Sequence, residues 1–241
     1  MKKVITFFGA ESKVGTTMLA QSVAEELAAR KKSCLLIFAS SEMYDNYLKE
    51  DNSIVSLDNL SDINPENLKL QDVKKVITKA NGLEYIKGSN KPLKIRYFSE
   101  KLIPKIVKLA PYDYIVVDGG HNYHFPLPVS SLLAATDMYY VLTQNAKAVN
   151  RFKDTISLIL NAPALKTVAE KTIIVNKHSK EGVYTPEMIS EIAGFAYLAV
   201  PRVPNAKTCE INQHTLNRMS KPYKTSISSM VDNIVGGGSN E

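Results

Sequence analysis

The 241-residue chain holds two cysteines, Cys34 and Cys209, and four histidines. No CxxC pair and no Cys/His spacing points to zinc. Cys34 sits in an apolar run and Cys209 in a helical stretch, so a reduced, cytosolic setting fits better than a disulfide framework. No apolar run approaches the roughly 20 residues of a membrane span. No leader is expected, because the chain enters a strand-like run by residue 4. Internal repeats and low-complexity tracts are missing. So is any Ser/His/Asp or Cys/His set spaced for nucleophilic catalysis.

What remains has an ordinary balance, with 44% hydrophobic and 22% charged residues. That is enough chain for one sizeable core, read as a single domain over 1–235 with a flexible glycine-rich tail over 236–241. The net charge of +6 would suit DNA or an anionic surface. The lysines are spread along the chain, however, which favours a solvated basic surface.

Short apolar runs predict strands over 4–8, 34–38, 83–86, 114–118, 138–143, 172–176 and 196–200. Most are continuous, not alternating, as in strands buried on both faces of a parallel sheet. Helical patterns fill 17–30, 73–79, 99–109, 129–134, 147–160, 186–193, 206–219 and 223–235. Residues 40–72 read as an irregular excursion at the sheet edge, with weak helical pieces over 42–49 and 56–60. The alternation predicts an α/β, doubly wound, mostly parallel sheet with helices on both faces. Ligands of such sheets sit at the carboxyl ends of the strands.

One segment has the outline of a phosphate loop. Phe7-Phe8-Gly9-Ala10-Glu11-Ser12-Lys13-Val14-Gly15-Thr16-Thr17 links the first strand to the first helix. Strand, tight loop and helix N-terminus present backbone N–H groups to an anion. The standard loop reads G-x-x-x-x-G-K-[ST]. Gly15 and Thr17 keep the second glycine and the magnesium-binding hydroxyl. Ala10 replaces the first glycine and Thr16 the lysine.

Further segments follow in a set order: Tyr112-Asp113-Tyr114-Ile115-Val116-Val117-Asp118, Ala135-Thr136-Asp137-Met138, Ile173-Ile174-Val175-Asn176-Lys177, and Val200-Pro201-Arg202. In this order the chain resembles the ParA/MinD family of P-loop ATPases with a deviant Walker A loop. Within it the similarity is greatest to the atypical CpaE/TadZ branch, linked to Tad pilus assembly and polar localisation. The resemblance implies a P-loop NTPase fold, ATP and Mg2+ as ligands, and a homodimer. It also implies pilus or secretion machinery proteins, or other polar-localised proteins, as partners. Localisation would be cytoplasmic, with recruitment to a cell pole or to the inner face of the membrane.

The family's K-G-G-x-G-K-T-[ST] falls on Glu11, Ser12, Lys13, Val14, Gly15, Thr16, Thr17 and Met18. Glu11 stands at the signature lysine that reaches a dimer partner's nucleotide, and Thr16 at the Walker lysine. Phe38 and Ser40 stand at two aspartates. Asp118 matches the Walker B aspartate, which places magnesium between Thr17 and Asp118. Asn176 with Pro201, Arg202 and Val203 matches the adenine cradle.

A charge-assisted hydrogen bond contributes roughly 1.5–3 kcal/mol. Losing the Walker lysine therefore weakens binding by about one to two orders of magnitude. Loss of a comparable arginine finger slows phosphoryl transfer by about 10³–10⁵. No catalytic residue is assigned and little or no hydrolysis is expected. Backbone N–H groups, Thr17 and Asp118 can still bind. Lys13 either supplies a substitute charge or points to solvent, and side chains at Ala10, Ser12 and Lys13 could distort the loop wherever it needs φ > 0. His121 reads as a solvent-facing loop residue. Asp137 reads as structural. The apolar positions of 223–235 predict packing on the sheet in preference to membrane contact.

Four functions compete. The first is a nucleotide-gated localisation or assembly factor. The second is a pseudo-ATPase scaffold acting through protein contacts alone. The third is a DNA-partitioning ATPase, supported only by mild basicity. The fourth is an ATP-dependent ligase, against which the missing lysines argue.

Overall fold

Lys3-Val-Ile-Thr-Phe-Phe-Gly9 is buried at every position after Lys3, so this strand has core on both sides. A computed structural model describes residues 2–40, 55–80, 82–91, 94–161, 170–204 and 220–236. Its strands are β1 (Lys3–Gly9), β2 (Cys34–Phe38), β3 (Ile77–Ala80), β4 (Leu83–Ile86), β5 (Tyr114–Asp118), β6 (Asp137–Leu142), β7 (Glu170–His178) and β8 (Ala196–Pro201). They form one sheet in the order β3-β4-β2-β5-β1-β6-β7-β8. Only the β3–β4 pairing at the edge is antiparallel. The doubly wound α/β expectation holds.

The helices are α1 (Thr16–Ala29), α2 (Leu70–Lys75), α3 (Leu102–Leu109), α4 (Pro126–Ala134), α5 (Ala146–Asn161), α6 (Pro186–Ala193) and α7 (Lys221–Gly236). Strand alternation sorts the core into layers. Ile5 and Phe7 of β1 pack with Leu19 and Val23 of α1 and with Ile227 and Met230 of α7. Val4 joins Ile103 and Ile106 of α3, and Phe8 joins Val149 and Phe152 of α5. Tyr223 is fully buried and its hydroxyl lies 2.8 Å from Ser22 Oγ, which locks α7 to α1. Arg30 adds a salt bridge to Asp232 of 2.5 Å.

Four sequence expectations need correction, the first being the helix expected over 99–109, which begins only at Leu102. The helix expected over 73–79 runs instead from Leu70 to Lys75, and Ile77–Ala80 is strand β3. Val76, Ile77 and Thr78 are β-branched, and pairing with β4 outweighs the weak helical period. Leu57, Leu60 and Leu68 are buried in the same layer as α3, so this stretch roofs a core and does more than skirt the sheet edge. α4 starts earlier than expected because Pro126 occupies its first position, where a missing N–H is harmless. The helices expected over 42–49 and 206–219, Cys209 and the tail after Gly236 lie outside the described residues.

Candidate functional site

The loop between β1 and α1 lies at the carboxyl end of the central strand. It is tied to both neighbouring strands. Gly9 N–H donates to Gly120 O at 2.7 Å and Ala10 N–H to Val141 O at 2.8 Å. Gly15 enters α1 with φ of 97°, and a Cβ there would lie 2.3 Å from Asn176 Nδ2. At Gly9 a Cβ would lie 2.6 Å from Thr16 Oγ1. Of the three side chains expected to strain the loop, only Lys13 has positive φ, at 63°. Ala10 and Ser12 are accommodated without it. Leu19 N–H donates to Gly15 O at 3.1 Å. The N–H groups of Thr16, Thr17 and Met18 precede that bond and point out of the helix end, where an anion is favoured.

Thr17 Oγ1 donates to Asp118 Oδ2 at 2.6 Å. Asp118 Oδ1 accepts Gly120 N–H at 3.1 Å, and the residue is fully buried. It ends β5, level with Phe7 of β1 and Phe38 of β2. Two hard oxygens side by side suit a magnesium ion, which retains waters in its remaining positions. Among the described residues no three His, Cys, Asp or Glu side chains gather as a metal cluster.

Asn176 Nδ2 donates to Val14 O at 2.7 Å, while its buried Oδ1 has no hydrogen-bond partner. An orphan acceptor of this kind suits an amino group on a ligand. Lys177 Nζ donates to Lys13 O at 2.6 Å. Lys177 is exposed, and partial desolvation of its ammonium against the loop, with Arg202 nearby, lowers it below its ordinary pKa.

The remaining predicted positions divide. Thr16 is buried against Gly9 and carries no charge to the loop. The side chains of Val14 and Met18 belong to the core layer under α1, so only their backbones face the loop. Ser12 and Lys13 are exposed. Pro201 ends β8 opposite His178, Arg202 is exposed, and Val203 is buried in the core. Phe38 is core, set edge-on to Tyr85, and Ser40 is buried nearby. His121 is half-buried, and Asp137 accepts a 2.5 Å hydrogen bond from Thr136, a structural role.

Glu11 is 14% exposed and sits 4.0 Å from Lys147 Nζ and 3.9 Å from Arg151 Nη1, both on α5. Sequence reasoning gave no role to Lys147 or Arg151, nor to Lys177 beyond its place beside Asn176 in the segment 173–177. No spacing signals them, because α5 and the end of β7 reach the loop only through the sheet order.

Neither a family model nor a curated protein matches the chain in sequence. Solved structures match over its whole length. A ParA family ATPase from Chlorobium tepidum superposes with a TM-score of 0.80 at 17% identity, covering 95% of this chain and 97% of that one. The septum site-determining protein MinD of Pyrococcus horikoshii, complexed with Mg-ADP, gives 0.79 at 16% identity over 100% of both chains. A chain of the MinC:MinD cell division protein complex of Aquifex aeolicus gives 0.76 at 22% identity, covering 97% and 96%. At these identities the likeness establishes architecture: the chain has the mostly parallel, helix-flanked P-loop sheet of the ParA/MinD ATPases.

Proposed function

We propose that this chain is a ParA/MinD-like positioning factor that binds Mg-ATP at the loop 10–17 and hydrolyses it slowly or not at all. The observation that carries this reading is the pair Thr17 and Asp118, held at 2.6 Å beside an open helix end and the orphan Asn176 Oδ1. Thr17 and Asp118 would hold the ion, and the N–H groups at the start of α1 would hold the phosphates. Asn176 Oδ1 would accept from the adenine amino group. The ion, when bound, would neutralise phosphate charge. Thr16 leaves the loop without its own cation, so charge developing during phosphoryl transfer would be poorly stabilised.

Nucleotide would gate a homodimer, and the dimer would recruit a partner, in the manner of the CpaE/TadZ branch at pilus or secretion machinery. The match within the MinC:MinD complex supports recruitment as a mode for this architecture. A single-turnover assay tests the enzymatic part. Bound ATP should persist over many minutes with Mg2+ present, whereas release of phosphate within seconds would overturn it.

A second reading has its own observation. Glu11 is tied to Lys147 and Arg151 of its own chain, where the family's signature lysine would reach a partner. That arrangement favours a pseudo-ATPase scaffold with a vestigial loop. Absence of saturable nucleotide uptake would select it.

A further inference from the structure

We infer that Lys177 supplies, from the end of β7, the cation that the loop lacks at Thr16, and that it contacts a phosphoryl oxygen of a bound nucleoside di- or triphosphate. This rests on the nucleotide-binding reading above. Lys177 Nζ already sits at the crest of the loop, 2.6 Å from Lys13 O. An ammonium has three N–H donors, and this contact uses one. Two are left to meet an anion in the same place.

The backbone is shaped to deliver it. The β7–β8 ladder is irregular between Val175 and His178, and within that irregularity Lys177 has φ of 55°. Lys13, at the other end of the hydrogen bond, has φ of 63°. Two non-glycine residues in left-handed conformation are thus joined by one contact, and such conformations persist where the surroundings over-determine them. The charge pattern agrees. Arg202 acts on the Lys177 charge as a like neighbour. The nearby carboxylates are committed elsewhere: Glu11 faces Lys147 and Arg151, and Asp118 accepts from Thr17 and Gly120. Among the described residues Lys177 and Arg202 have no carboxylate partner, and two like charges at neighbouring strand ends make a place for a polyanion. Delivery from β7 also explains how Thr16 can be small: the charge arrives from the neighbouring strand end instead of from α1.

The test is calorimetric titration of the full chain and its Lys177→Gln and Lys177→Arg variants. The probes are Mg-ATP, tripolyphosphate and adenosine, with thermal unfolding of each variant recorded. Lys177→Gln should weaken Mg-ATP and tripolyphosphate about ten- to a hundredfold. It should leave adenosine within about twofold, and Lys177→Arg should restore most of the loss. Equal affinity of wild type and Lys177→Gln for Mg-ATP overturns the inference while leaving the nucleotide reading intact. So does an equal loss for adenosine and Mg-ATP, the mark of a mere clamp on Lys13. A wild type that takes up neither Mg-ATP nor tripolyphosphate overturns the nucleotide reading, and this inference with it. Should Lys177→Gln fail to fold, reductive methylation of the wild type decides. Mg-ATP should protect Lys177 more than it protects Lys147, and equal modification with and without nucleotide contradicts the assignment.

Discussion

Thr17 Oγ1 lies 2.6 Å from Asp118 Oδ2, which joins the first turn of α1 to the carboxyl end of β5. The contact sets a hydroxyl and a carboxylate side by side at the floor of the loop. Asp118→Asn preserves the shape and removes the charge. Magnesium should tighten ATP binding to the wild type, and that enhancement should fall by about tenfold or more in Asp118→Asn. Titrating ATP with and without magnesium checks it. An unchanged magnesium effect would place the ion elsewhere.

Gly15 is held at φ of 97° with Asn176 Nδ2 only 2.3 Å from where a Cβ would stand. Gly15→Ala combines left-handed strain with a clash that displaces the Asn176–Val14 hydrogen bond. A loss of about 1–3 kcal/mol is expected. Gly194, at φ of 70° with nothing within 4 Å, is the control, and Gly194→Ala should cost less. Thermal unfolding of the two variants provides the comparison, and equal losses would contradict the close packing at Gly15.

Glu11 faces two cations whose side chains are 67% and 52% exposed. Solvent screens such pairs, so Glu11→Gln should cost under about 1 kcal/mol. Denaturant titration measures it. A loss of several kcal/mol would mean that this ion pair anchors the loop in a way the distances do not suggest.

Burial pushes the Cys34 thiol up from an ordinary 9.0 to about 12. The folded state therefore keeps the proton longer than the unfolded chain. Its contribution to stability is complete below about pH 9 and is lost as the pH rises from there toward 12. In the native protein at pH 8 the Cys34 peptide should resist alkylation, as read by mass spectrometry, and should react on unfolding. Rapid native labelling would contradict the burial.

Helix α7 commits Tyr223, Ile227, Met230, Val231 and Ile234 to the core beneath α1. Ile227→Ala should cost about 2–5 kcal/mol. With its apolar face occupied, the helix should give no retention on anionic liposomes in a flotation assay. Lipid-dependent retention that vanishes on removal of α7 would show that the helix can leave the sheet.

Much of this architecture was legible in the residues. Cys34–Phe38 is a continuous apolar run, Tyr114–Asp118 is apolar up to its final carboxylate, and Leu83–Ile86 is interrupted only by Glu84; strands follow all three residue for residue. The strand, loop and helix over residues 3–29 were legible too, and so were the two residues, Thr17 and Asp118, that the fold brings together there. β3 was not, because four residues carry no period of their own and become a strand only beside β4. Nor were the partners of the loop. Glu11 meets α5, and Lys177 meets Lys13, across sequence separations of more than a hundred residues, through a sheet order and a local irregularity in β7 that no short motif encodes.

The central claim is that the loop still takes up nucleotide without its lysine. Calorimetric titration of the purified chain with Mg-ATP, run beside light scattering, tests it most directly. The account predicts saturable binding with a shift in mass from monomer to dimer. No heat and no change of mass at millimolar Mg-ATP would contradict it and leave a scaffold that works through protein contacts alone.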